Sequence, residues 1–107
     1  LAHLLALGGW VRALEAAAVA IEQRFDAAQA AVIFYPDAPA YFNEILSGLH
    51  PRTAKRLHVD KMRALLEQLV SCMSLAPGEA PSPGKVRIIR ETAAGISTIA
   101  VGAGYEH

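Results

Sequence analysis

Lys85-Val-Arg-Ile-Ile-Arg90-Glu-Thr-Ala-Ala-Gly95-Ile-Ser-Thr-Ile-Ala100-Val-Gly-Ala103 decides the fold class, because it reads either as a β-hairpin or as a helix. The hairpin reading fails early. Val86-Arg87-Ile88 alternates, but Ile88-Ile89 and Arg90-Glu91 break the period of two that a half-buried strand needs. At about 100° per residue, Val86, Ile88, Ile89, Ala93, Ile96, Ile99 and Ala100 gather within roughly 160° of arc. Arg87, Arg90, Glu91, Ala94 and Thr98 take the opposite side. Gly95 and four isoleucines lower the helix propensity without removing the stripe, and Gly102 and Gly104 supply a stop. The expectation is an all-α chain, a small helical bundle of four to five helices; the alternative is an α+β fold with a C-terminal hairpin at 85–103.

Upstream, residues 75–84 hold three prolines and two glycines and form the one long internal loop. Ser82-Pro83 then reads as a cap followed by proline at the first helical position. Before the loop comes the cleanest stripe in the chain, Met62, Leu65, Leu66, Leu69, Val70 and Met73, with Asp60 expected as its cap. Arg63 and Glu67 stand at i,i+4, spaced for an ion pair worth tenths of a kcal/mol. Residues 51–59 make a basic connector with room for a helical turn. Phe42, Ile45, Leu46 and Leu49 mark a helix that Asp37 is expected to cap and that ends at Gly48.

The first half carries two further helices. Asp26-Ala-Ala-Gln29 has the spacing of a capping box, opening a short helix through Ala30 to Phe34. Val32-Ile33-Phe34-Tyr35 alone would suit a strand; the cap and the preceding alanines favour helix. Leu7, Val11, Leu14, Ala18, Ile21 and Phe25 form one stripe of a long first helix. Gly8-Gly9 weakens its first turns, so either the helix starts at Trp10 or another element packs closely where side chains are missing.

The chain has 107 residues, enough for one domain with one core. Its apolar share is 53% against roughly 45–50% in ordinary domains, and 21 of its residues are alanine, so the excess points to close-packed helices. No membrane span is expected. The 18 residues from Leu4 to Ile21 carry Arg12 and Glu15 near their middle, and the 14 uncharged residues from Thr92 to Tyr105 fall short of the roughly 20 needed. The lone Cys72 excludes an intrachain disulfide, so the chain is not a disulfide-stapled miniprotein. A cytoplasmic setting is the favoured expectation, with secretion behind a cleaved signal peptide as the alternative. A chain that opens on Leu1 is expected to be a processed product or the C-terminal part of something longer, and Glu106-His107 is either native or a tag remnant.

Ten basic and ten acidic side chains cancel, so the net charge of zero argues against nucleic acid as a partner. The balance is uneven along the chain: residues 1–49 carry −3 and residues 50–63 carry +4. Arg52, Lys55, Arg56, Lys61 and Arg63, with His50 and His58 beside them, are the candidate contacts for phosphate or nucleic acid, in an outline of helix, turn and basic helix that Pro51 disrupts.

No catalytic, cofactor or metal set is expected. His3, His50, His58 and His107 are scattered; His50 and His58 with Asp60 lack recognised ligand spacing. Asp37 and Asp60 are explained as caps, Glu44 stands alone, Cys72 reads as a core residue, and Gly8-Gly9 lacks phosphate-loop spacing. Four of the seven aromatics, Phe34, Tyr35, Tyr41 and Phe42, fall within nine residues. With Trp10, the tyrosines Tyr35 and Tyr41 are the candidate partner or ligand surface, and the Met62/Met73 stripe could line a pocket between helices. The leading expectation is a non-enzymatic structural or protein-interaction module. Its partner would be a second copy or a preceding region of the same chain approaching Gly8-Gly9-Trp10. The alternatives are a nucleic-acid or phosphate-binding regulator and a small-ligand binder.

Overall fold

The computed structural model describes residues 2–102, with side chains from Leu5 onward. Leu1, the stop expected at Gly104, Glu106 and His107, and the His3 side chain lie outside the described residues. The chain is an all-α bundle: α1 (Ala2–Gln23), α2 (Ala27–Ala30), a 3-10 turn (Ala31–Ile33), α3 (Asp37–Ser47), α4 (Pro51–Arg56), α5 (Val59–Met73) and α6 (Pro83–Gly102). No strand occurs among the described residues, so 85–102 is helix and the hairpin alternative is excluded.

α6 is the central helix, packed on α1 and on α5, with α3 on another side of α5. It buries Val86, Ile89, Thr92, Ala93, Ile96 and Ala100, all within about 120° of arc. Ile88, expected in the stripe, stands at its edge and is exposed. The helix starts as its sequence dictates, the Ser82 hydroxyl accepting from the Lys85 N–H at 3.3 Å. Against α5, the Gln68 amide donates to the Thr92 hydroxyl at 2.8 Å, and that hydroxyl donates to the Ile88 carbonyl at 2.7 Å. The buried Thr92 is thereby satisfied. Gln68 pairs with Thr92 while Leu65 lies against Gly95, so α5 and α6 run antiparallel. Arg90, early in α6, is hydrogen-bonded to Glu22 at the end of α1, so this pair is antiparallel too.

In α1 the stripe Leu7, Val11, Leu14 and Ala18 is buried, and Ile21 is half-buried. Phe25 is not part of it: the helix ends at Gln23 and Phe25 is exposed. The two glycines do not delay the helix. Gly8 is buried, whereas Gly9 faces open space, where an added Cβ would meet nothing within 4 Å.

Two expected caps are absent. Pro36 precedes α3 and His58 precedes α5, so Asp37 and Asp60 sit inside the first turns, with no side-chain cap bond. Their carboxylates still favour the positive end of each helix. Asp26 does cap α2, its Oδ1 accepting from Ala28 N–H at 2.8 Å and Gln29 N–H at 3.4 Å. Pro51 does not break the connector but begins α4, whose cap is the His50 ring: Nδ1 accepts from the Arg52 N–H at 3.2 Å. Arg63 is not paired with Glu67; its Nε donates to Asn43 Oδ1 on α3 at 3.0 Å. The 75–84 loop carries a type II turn at Ala76-Pro77-Gly78-Glu79, where Gly78 takes φ +81°.

Candidate functional site

Two surfaces collect the residues singled out by sequence. The first is apolar. α2 and its 3-10 turn span only Ala27 to Ile33, so they turn Ala30 and Ile33 inward and leave Val32 outside. Val32 is 80% exposed and Tyr35 59% exposed. Between this segment and α1 lies a half-open groove of about 240 Å³, lined by Trp10, Leu14, Val32, Ile33, Tyr35 and Met73, with Ala13 and Ala38. No charged side chain lines it, and the Tyr35 hydroxyl and Trp10 indole N–H are its side-chain polar groups.

Trp10 and Tyr35 therefore line the same groove. Tyr41 does not line the groove. It stacks edge-on against Phe42 (centroids 5.4 Å, interplanar angle 65°), and Phe42 in turn packs on Trp10 at 5.4 Å. Trp10 is half-buried, with one side against the core and Phe42. Of the two methionines only Met73 reaches the groove, since Met62 is fully buried in the core. Val32 was missed among the apolar run 32–35; its signal is that a single short turn cannot face four bulky neighbours inward.

The second surface is basic. On α4, Lys55, Arg52 and Arg56 fall within about 100° of arc, all exposed. A half-open cleft of about 550 Å³ separates α4 from the start of α5, lined by Lys55, His58, Asp60 and Lys61 with Pro51, Ala54 and Val59. Four of the five predicted cations are thus neighbours. Arg63 is the exception: two residues past Lys61 is about 200° around the helix, which turns it toward Asn43 on α3.

The remaining polar residues do not converge. Among the described residues no three of His, Cys, Asp and Glu are placed to hold a metal ion. His50 is engaged in capping, and Glu44 is exposed on α3. Cys72 is half-buried against the core; burial pushes its thiol up, and Lys85 only partly offsets this, so little of the nucleophilic thiolate forms at neutral pH. No helix among the described residues is long and apolar enough to cross a membrane. Comparison with protein families, with curated proteins and with solved structures finds no match to this chain.

Proposed function

We propose that this chain is a non-enzymatic protein-interaction module, and that its groove between α1 and the 3-10 turn receives an apolar side chain of the partner. One observation carries the reading: an apolar groove walled by a tryptophan and a tyrosine, with Val32 left 80% exposed beside it. Burying Val32 would recover on the order of 1.5–3 kcal/mol, which the isolated chain forgoes. A bulky apolar side chain seated in a pocket ringed by aromatic residues is the usual energetic centre of an interface. The partner that fits is a helix or extended segment presenting one large uncharged side chain.

Selection from a displayed library of random 12-residue peptides tests this directly. Enriched peptides are expected to share a Leu, Phe or Trp anchor. Trp10, the sole tryptophan, reports on the groove: its emission should shift to the blue on binding. Val32→Glu should abolish binding while leaving the circular dichroism unchanged. Peptides indifferent to Val32→Glu, or no enrichment, would overturn the proposal.

A further inference from the structure

The basic corner formed by α4 and the start of α5 is a separate surface, and it stands in contrast to α6. On α6 every cation has a carboxylate: Lys85 meets Glu79 at 2.9 Å, Arg87 meets Glu91 at 3.8 Å, and Arg90 meets Glu22. At the corner none has one. Arg52, Lys55, Arg56 and Lys61 make no ion pair with any described residue. α4 also buries none of its side chains, so these residues are not there to fill the core. We infer that this corner is a docking face for the phosphate backbone of duplex nucleic acid.

The chemistry of the face narrows the partner. Residues 50–63 include no exposed large apolar side chain and no Phe, Tyr or Trp; their rings are the small imidazoles of His50, which caps α4, and His58. An interfacial helix needs an apolar face to enter lipid, and a single strand is held by stacking its bases on aromatic rings. Neither device is present. What remains is a cluster of point charges and guanidinium forks, the equipment for contacting phosphates without reading bases. Lys55 and Lys61 flank the cleft, and Arg52 and Arg56 extend the positive face around α4. Asp60 on the cleft wall opposes them, leaving the cations in excess.

The chain's neutral sum does not weaken this reading. Charges separated by more than about 10 Å are screened from one another at 0.1 M salt, and the molecule is 42 Å long. A polyanion at the corner meets the local excess. With four phosphates neutralised, log K should fall with log salt at a slope of about −3 to −4, and affinity should be modest and indifferent to base sequence.

Fluorescence anisotropy of two labelled 20-base-pair duplexes of unrelated sequence, at 50 and 200 mM KCl, tests the inference. The expected result is binding at the lower salt that weakens by about a hundredfold at the higher, equally for both duplexes. Replacing Arg52, Lys55, Arg56 and Lys61 together by Gln should remove it, while Arg63→Gln, on the other flank of α5, should retain it. The four-fold variant's thermal midpoint verifies that it folds, and the salt slope of the unaltered chain is informative without any variant. The inference is overturned by no binding at 50 mM, by a slope near zero, by binding that survives the four-fold change, or by tighter binding to phosphatidylserine vesicles than to duplex.

Discussion

Two helices of this chain begin with the same device: Ser82 before Pro83 opens α6, and His50 before Pro51 opens α4. In each, a side-chain acceptor meets a first-turn N–H, and proline takes a position where its missing N–H costs nothing. Beyond that they diverge. α6 runs for 20 residues, buries six of them and pairs each of its cations; α4 runs for six residues, buries none and pairs none of its cations with a described residue. Capping signals therefore specify where a helix starts but not whether it belongs to the core. That depends on having enough turns to repeat an apolar stripe, which six residues cannot do.

The sharpest way to break the contrast is to cut into the stripe. Ile96→Ala should destabilise the chain by about 2–5 kcal/mol in urea unfolding, since Ile96 is fully buried between helices. Arg56→Ala on α4 should stay within about 0.5 kcal/mol of the parent. Equal losses from the two would mean that α4 is part of the core after all.

Gly95 probes how closely α6 lies on α5. A Cβ there would sit 3.4 Å from a Leu65 methyl, an ordinary contact. Gly95→Ala should gain about 0.5–1 kcal/mol from helix propensity. Gly95→Val should lose about 1–3 kcal/mol as its extra methyls press on Leu65. Thermal melts of both variants check the opposite signs.

His58 links α4 to α5 at φ +56°, a left-handed conformation that a Cβ opposes. His58→Gly should raise stability by about 0.5–1 kcal/mol in the same melts, relief of strain outweighing the greater freedom of the unfolded glycine. His58→Ala, which keeps the Cβ, should show no gain.

The smallest expected effect concerns a paired charge. The Ala76 N–H and the Lys85 ammonium both hold the Glu79 carboxyl below its ordinary range. A depressed folded pKa stabilises above the unfolded value, near pH 4, and that contribution is lost as pH falls through the folded one. The melting temperature of the parent should therefore exceed that of Glu79→Gln at pH 6, and the difference should close as pH falls below the ordinary glutamate range. A difference that stayed constant with pH would show that Glu79 acts through packing. Neutralising the four corner cations should lower stability at neither pH.

Much of the fold was legible because its signals are local. The stripes of α1, α5 and α6 depend only on spacing, and the Asp26 and Ser82 caps only on side chains two or three residues from their donors. Asp37 and Asp60 carried the same kind of signal and failed, because proline at 36 and the left-handed His58 placed the helix starts one or two residues earlier. The groove was half legible. Aromatic clustering pointed to Trp10 and Tyr35, but nothing in the spacing separates the exposed Val32 from the buried Ile33.

Composition and periodicity alone determined an alanine-rich, all-helical domain without a spanning helix, since helix identity follows from backbone sterics and nearest-turn contacts. The tertiary structure decided which charges meet. Arg63 finds Asn43 across 20 residues of sequence, Arg90 finds Glu22 across 68, and the cations of α4 find no carboxylate among the described residues. Such pairings depend on how helices pack, and packing is set by the buried faces rather than by the charged residues that ride on the others.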